Sequence, residues 1–454
     1  MVKTKYIIIG SGETGIRLAQ ELVKTGDKVI LVEQDTFGGT FIHSLDYPKY
    51  LLNNESEEFA VGLKLFKSNL ETFSVLRKYR QKISHKIADE SSKHGNRELA
   101  SLEKYKNFTF LLGKAEFFSK SMVEINSSQE RHLVSFEECS LAVGKNVMEK
   151  PDIKGLEKVA FLFQHSAYLF AQIPSKLAII GCTKENLEVA GIYSSLGVKI
   201  SIFESKSATK SLSELDRSLF NYLLKSLNLR QVEFFFDTQI KEVKKSGKSL
   251  VLADASREEY KFSHIYVNIK ESFEDDGLNL KKVLVKSKKA GIEAGKDGKT
   301  SQKNILAFGE CNPEISPGTK LSTLLNYTQS QINKKTSRSV SILDLKKLLL
   351  DKDSTALDLD ILKIENFDPV VNLGFSEQSG VKNFGNSVKS FLIETPDKDG
   401  FLKAIYKEAQ GQIIGFALAG DFAKEFEAYG ISFLKKGLNL KQLRSFLASY
   451  LGVV

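Results

Sequence analysis

The chain has 454 residues, 42% hydrophobic and 27% charged, with a formal net charge of +9; that is ample material for cores in about three domains. The lysines are spread along the whole length without a dense basic block, which speaks against a nucleic-acid-binding surface. No run approaches the roughly 20 apolar residues that a bilayer-spanning helix needs, and three dispersed cysteines without C-x-x-C or zinc spacing, Cys139, Cys182 and Cys311, point to a reducing compartment. Lys5 to Glu33 reads as strand, tight turn, helix and second strand. Tyr6 to Ile9 is a short β-branched run suited to a strand buried on both faces; because it already belongs to the fold, no signal peptide is expected and a cytoplasmic location is. Gly10, Gly12 and Gly15 form G-x-G-x-x-G directly after it. The first glycine allows the turn, the second lets a pyrophosphate approach the backbone, and the third lets the helix pack on the strand. Ile16, Ala19, Leu22 and Val23 share one helix face, and Gly26 ends the helix. Val29 to Val32 is the second strand, with Glu33 at its tip to accept from a ribose diol. Such a glycine turn is common by itself; the strand, helix, strand and terminal acid at this spacing make an adenine-dinucleotide site the expectation.

A glycine-rich loop then enters a helix near Pro48. Glu55 to Leu102 is charged with alternating sign and reads as a solvent-facing helical hairpin. Phe108 to Leu112, Val123 to Ile125 and His132 to Phe136 are expected strands, and Leu141 to Gly144 closes the first lobe, punctuated by Pro151 and Gly155. Lys176 to Glu204 repeats the opening unit: the acid lies 23 positions after the first glycine in both copies, Gly10 to Glu33 and Gly181 to Glu204. In the second copy Thr183 and Asn186 occupy the other glycine places, where a Cβ obstructs a pyrophosphate and Asn186 is expected to push the helix off its strand. Further strands are expected at Val232 to Phe236, Ser249 to Leu252 and His264 to Ile269. Thr300 to Glu310 is a strand ending in Gly309-Glu310, followed by a helix from about Ser322. Lys334 to Ser339 reads as a linker. Beyond it Phe367 to Phe375, Lys389 to Ile393, Phe401 to Tyr406 and Ile413 to Ala419 are strands, and Phe422 to Lys436 and Leu440 to Tyr450 are helices.

With these residues in view, the chain resembles the pyridine nucleotide–disulfide oxidoreductases, dihydrolipoamide dehydrogenase and glutathione reductase in particular. Gly10, Gly12, Gly15 and Glu33 match the flavin-dinucleotide fingerprint; Gly38-Gly39-Thr40 matches the opening of the redox loop, and Pro48 with Leu51-Leu52-Asn53-Asn54 its exit. Leu141 to Gly144 is similar to the Ala-Thr-Gly turn, and Asn304 to Glu310 to the second flavin motif. Asp368 to Gly374, Gly400 to Lys403, Gly415, and Gly420 to Glu425 follow the interface domain. The resemblance implies an α/β fold with two Rossmann-like FAD- and NAD(P)-binding lobes and a C-terminal α+β dimerisation domain. It divides the chain into 1–155 (FAD-binding, first part), 156–275 (NAD(P)-binding type), 276–335 (FAD-binding, second part) and 340–454 (interface). It implies FAD as cofactor, held by Gly10, Gly12, Gly15, Glu33, Gly39, Thr40, Lys49, Ala115, Gly144, Gly309, Glu310, Ser322 and Thr323, and a homodimer without nucleic acid or membrane partners.

The departures fall on the family's chemistry. Phe41 and Asp46 stand at the two redox-cysteine places, and neither a phenyl ring nor a carboxylate exchanges disulfides. No histidine follows His264, so the family's carboxyl-terminal His–Glu acid/base pair is missing. Asn268-Ile269-Lys270-Glu271 replaces the strand end that normally reads Gly-Arg. The nucleotide site of the second lobe (Gly181, Glu188, Glu204) is therefore degenerate and NAD(P)H use is in doubt. Glu188 matches a glutamate beside the flavin, with Lys49 as its candidate partner. His43 lies inside the altered redox loop, where a lone loop histidine is ordinarily solvated. Two functions follow from the resemblance: an FAD-dependent oxidoreductase that passes electrons to a non-disulfide acceptor, or a retired dimeric scaffold that keeps FAD or only the fold.

Overall fold

The first strand, β1 (Val2–Ile9), is β-branched through its second half because it runs through the middle of a sheet, with Ile7 and Ile8 buried on opposite faces. The computed structural model describes residues 2–65, 70–127, 130–169, 173–208, 210–213, 215–275, 277–315, 361–364, 369–394 and 399–451. β1 pairs in parallel with β2 (Val29–Glu33) on one side and with β6 (Arg131–Leu141) on the other. β3 (Phe108–Leu112) extends the sheet beyond β2, and β5 (Met122–Asn126) and β4 (Lys114–Ser119) continue from β6 as an antiparallel meander. β18 (Ile305–Ala307), nearly the length of a domain later in the chain, returns to pair with β6 in parallel. Helix α1 (Glu13–Leu22) crosses from β1 to β2 and buries Ile16, Leu18, Ala19 and Leu22, the face that the spacing predicts.

The internal repeat builds a second parallel sheet of β10 (Val232–Phe235), β9 (Lys199–Phe203), β8 (Lys176–Ile180) and β14 (His264–Val267), with α5 (Lys184–Ser195) as its first crossover. An antiparallel sheet of β11 (Ile240–Ser246), β12 (Ser249–Asp254) and β13 (Glu259–Phe262) lies beside it. Where the chain passes between these lobes, β7 (Val147–Glu149) pairs with β15 (Lys270–Ser272). The carboxyl-terminal part is one antiparallel sheet, β19 (Ile361–Ile364), β20 (Val370–Gly374), β23 (Gln412–Gly420), β22 (Gly400–Lys407) and β21 (Val388–Ile393). It is covered by the helices Asp421–Lys435 and Leu440–Leu451. The chain thus has the expected α/β architecture with two Rossmann-like sheets and a carboxyl-terminal domain. Among the described residues no helix is long and apolar enough to cross a membrane.

One expectation is corrected. The charged stretch forms α3 (Asp46–Leu65) and α4 (Leu70–Glu103), but this hairpin is not simply solvent-facing. Leu52 and Phe59 of α3 and Ile83 and Ile87 of α4 are buried in the same core as Leu187, Val189 and Phe220 of the second lobe and Phe401 and Ala417 of the last sheet. A narrow apolar stripe in a charge-rich helix is enough to seat it, because burying each such side chain contributes about 1.5–3 kcal/mol. The helix expected from Ser322, the linker at 334–339 and the Asp368 end of the interface motif lie outside the described residues.

Candidate functional site

The site begins where β1 stops. Gly10 has φ +100°, and a Cβ there would meet the Ala142 carbonyl oxygen at 2.3 Å; at Gly15 a Cβ would meet the Gly10 carbonyl oxygen at 1.8 Å. Both glycines are therefore demanded by packing. Gly12 is different: a Cβ would find nothing within 4 Å, and no side chain caps the amino end of α1 that it begins. Its unpaired N–H groups face open space with the positive end of the helix dipole behind them, which is the physical requirement of an anion cradle.

That space is a cavity of about 570 Å³, within the range of sites that enclose cofactor-sized ligands. The turn contributes Gly10 and Gly12, the tip of β2 Glu33, and the glycine-rich loop Gly39, Thr40 and Phe41. Ala115, Gly144, Gly309 and Glu310 close it from the meander, the end of β6 and the end of β18. Of the residues expected to surround a flavin, these share one cavity. Gly15 lies behind the turn, and Ser322 and Thr323 are outside the described residues. Lys49 does not line the cavity either: its Nζ stands 3.2 Å from Oε2 of the buried Glu188, an ion pair that ties α3 to α5.

Glu33 is fixed by a residue to which the sequence reading gave no role. Ser11, fully buried between two glycines, donates to Glu33 Oε2 from both its N–H and its Oγ at 2.8 Å, and its Oγ accepts from the Gly38 N–H at 2.9 Å. Glu33 Oε1 accepts from the Gln34 N–H at 2.8 Å and keeps acceptor capacity toward the cavity. Strand tip, glycine turn and glycine-rich loop are thereby locked to one carboxylate.

The second copy repeats this contact and then diverges. Glu204 accepts from the Cys182 N–H at 2.7 Å and the Lys206 N–H at 2.8 Å. Thr183 caps α5, its side chain accepting from the Asn186 N–H. Asn186 is fully buried, and its Nδ2 donates to the carbonyls of Ile180 and Gly181 at 2.8 Å each. Beyond the expected displacement of helix from strand, which stands as an expectation, the Asn186 carboxamide satisfies two carbonyls of the turn.

Phe41 and Asp46, at the two places where the resembled family carries its redox cysteines, line the cavity, Phe41 partly packed on the core around Phe37 and Ile42. His43 also reaches the cavity, its Nε2–H donating to the Phe37 carbonyl at 2.8 Å. A pairing that the sequence reading missed sits on the same wall: His165 Nε2 lies 2.5 Å from Glu271 Oε1. The two residues are 106 positions apart, so no local pattern announces them.

All three cysteines are buried and free. Burial pushes the Cys182 thiol up to about 12 and that of Cys311 up to about 11, and raises Cys139 further. Cys311 Sγ is 3.1 Å from the Phe308 carbonyl. A thiol so raised is protonated throughout the physiological range and is a poor nucleophile. Native protein at pH 8 is expected to leave Ellman's reagent colourless over minutes, whereas protein unfolded in guanidinium releases three equivalents per chain; rapid labelling of the native chain contradicts this burial.

The sequence is 22% identical over 447 residues to dihydrolipoyl dehydrogenase of Geobacillus stearothermophilus, covering 94% of this chain and 89% of that protein. It is 24% identical over 474 residues to mercuric reductase of Lysinibacillus sphaericus, covering 98% and 80%. Among solved structures, the HOCl-induced flavoprotein disulfide reductase RclA of Escherichia coli, as its Cu(II) complex, superposes with a TM-score of 0.79 at 17% identity over 98% of this chain and 95% of that one. The model of the pyridine nucleotide-disulphide oxidoreductases matches residues 4–331, and with the glycine turn, the repeated lobe and the returning strand in place, the chain belongs to that family.

Proposed function

We propose that this protein is an FAD-binding oxidoreductase whose electrons go to an acceptor other than a disulfide. The observation that carries this reading is the open position beside Gly12, where an uncapped helix amino end, a locked Glu33 and a cavity of about 570 Å³ meet. These residues fit the cofactor. Gly10, Gly12 and the first turn of α1 hold the pyrophosphate, with Gly15 supporting the turn, and Glu33 accepts from the adenosine ribose. Gly39, Thr40, Ala115 and Gly144 would flank the molecule and Gly309 and Glu310 would take the ribityl hydroxyls; Ser322 and Thr323, which the resemblance adds to this set, lie outside the described residues. When bound, FAD supplies one- and two-electron chemistry. The chain orients it, excludes water with Phe41, and offers no thiol: Phe41 and Asp46 occupy the disulfide positions.

In the second lobe, Thr183 turned onto its own helix and Asn186 filling the space under the turn favour weak or lost NAD(P)H binding at Gly181 and Glu204. The Lys49–Glu188 pair is read as a brace between lobes. The division into 1–155, 156–275, 276–335 and 340–454 belongs to this reading, supported by the return of Ile305–Ala307 to the first sheet, as do a homodimer through the last domain and a cytoplasmic location. The missing thiols and the filled nucleotide turn also favour a second reading, a dimeric scaffold that keeps FAD or only the fold.

One set of measurements separates them. Purified protein is expected to be yellow with one FAD per chain, and to leave glutathione disulfide and lipoamide unreduced. Anaerobic NADH or NADPH is expected to bleach the flavin band slowly or not at all, and a photoreduced flavin is expected to be reoxidised by quinone or dye. Colourless protein that refuses FAD overturns the oxidoreductase reading, and flavin that no acceptor reoxidises favours the scaffold.

A further inference from the structure

The cavity wall carries an acid–base pair for which cofactor binding alone has no use. His165 lies between β7 and β8, and Glu271 is the middle residue of β15. The ladder of β15 on β7, with Lys270 opposite Glu149 and Ser272 opposite Val147, fixes the backbone that bears the carboxylate. Both side chains line the cavity yet are only 14% and 21% exposed. Gln164 clamps the same segment. Its Nε2 donates to Glu271 Oε1 at 3.2 Å and to the Ile269 carbonyl at 2.5 Å, and its Oε1 accepts from the Ile269 N–H at 3.0 Å. The imidazole also lies nearly parallel to the Phe163 ring, 6.0 Å away at 21°. An ordinary surface His–Glu pair swings freely; here Gln164 also holds the carboxylate and the Phe163 ring lies beside the imidazole.

Burial alone raises the Glu271 carboxyl, but the hydrogen bond and charge of His165, the Gln164 bond and the charge of Lys145 together hold it below the usual carboxylate range. At neutral pH it is ionised and can only accept, so the shared proton resides on His165 Nε2. Nδ1, which has no hydrogen-bond partner among the described residues, is the ring atom left to exchange a proton with a molecule in the cavity. This is the arrangement of an acid/base group and its orienting partner.

We propose that His165, oriented by Glu271, is the proton donor of this cavity, and that it serves an electron acceptor whose reduction places a proton on oxygen: a quinone or another conjugated carbonyl. The proposal rests on reading the cavity as a flavin redox site. In the step, the Nδ1–H bond of the imidazolium breaks as an O–H bond forms on one quinone oxygen. Both electrons and the other hydrogen arrive as a hydride equivalent from reduced flavin, which is oxidised, and water reprotonates the ring. Ionised Glu271 stabilises the imidazolium that must form each cycle. Lys145, His43, Asp46, Glu274 and Glu310 also face this cavity, so the assignment needs a readout specific to the pair.

The experiment uses FAD-loaded protein, photoreduced and mixed anaerobically with menadione across pH 5 to 9, beside ferricyanide, a one-electron acceptor that takes up no proton. Wild type is expected to show a titrating limb and a solvent deuterium effect with menadione only. His165→Gln is expected to lose about 100-fold in that rate and to flatten the limb, while FAD content and the ferricyanide rate stay unchanged. Glu271→Gln, which keeps the shape of the clamp and serves also if His165→Gln does not fold, is expected to lose about tenfold and to displace the limb. Independently of turnover, the imidazole nitrogen resonances of His165 are expected to move when menadione is added to oxidised protein. Holoprotein in which these variants reduce menadione as fast as wild type, or in which both acceptors slow equally, overturns the proposal and leaves the flavin reading standing. Protein that holds no FAD overturns both.

Discussion

Replacing Asp216 with alanine is expected to lower the unfolding free energy by about 3–5 kcal/mol, the cost of stripping one partner from a buried ion pair. Asp216 is fully buried at the amino cap of the helix Arg217–Leu229, where Oδ1 accepts from the Ser218 N–H at 2.9 Å. Its other oxygen accepts from the Glu377 N–H at 3.0 Å, at the start of the helix Glu377–Phe384. Lys403, buried on β22, reaches both carboxylate oxygens at 3.1 and 3.3 Å, the Ser218 hydroxyl at 3.1 Å and the Glu377 carboxylate at 2.6 Å. One carboxylate thus caps a helix of the second lobe, accepts from a helix of the last domain and neutralises a lysine of its central sheet. Alanine leaves Lys403 with the Ser218 hydroxyl and, as counter-charge, the half-exposed Glu377, and strands two backbone donors. Lys403→Met is expected to cost less, because Asp216 keeps both N–H donors when the cation goes. Urea unfolding followed by circular dichroism measures both, and the double variant should cost less than the sum of the singles. An Asp216→Ala loss below 1 kcal/mol would mean that this contact does not hold the last domain on the second lobe.

The legible parts of this chain were those whose signals are local. β1, α1 and β2 follow from a short β-branched run, glycines at fixed offsets and a helical face, all within thirty residues. The repeat at Lys176 was legible because its register matches the first copy to the residue. What stayed hidden depends on distant partners. The apolar stripe Leu52, Phe59, Ile83 and Ile87 is diluted by charge and declares itself only against the second lobe. Lys403 meets Asp216 across 187 positions. The carboxyl end, where the family's acid/base pair is expected, carries no histidine after His264. His165 and Glu271, on two connecting segments with no periodicity of their own, meet only once β7 and β15 are paired. Ser11 carried a faint signal, a small polar residue between two glycines, but its role needs Glu33 and Gly38 brought to it.

The two lobes also supply their own control, and from it comes the larger functional expectation. Gly12 and Thr183 hold the same place in their turns and both have extended backbones, with φ and ψ of −64° and −175° against −96° and 169°. Thr183 shows that threonine fits this backbone and caps the helix that follows. Gly12→Thr is therefore expected to leave the FAD-free fold within about 1 kcal/mol of wild type, the new cap offsetting side-chain crowding. Its side chain, however, must enter the space that is open beside Gly12 and that the pyrophosphate needs. FAD affinity is expected to fall by about 100-fold or more, roughly 2.7 kcal/mol, read by titration calorimetry on FAD-free protein. Gly15→Ala separates the two roles: its Cβ would press on the Gly10 carbonyl at 1.8 Å, so it should destabilise the protein with or without flavin, by about 1–3 kcal/mol. A Gly12→Thr protein that purifies yellow and binds FAD as tightly as wild type would remove the pyrophosphate from this turn, and with it the reason for calling the cavity a flavin site.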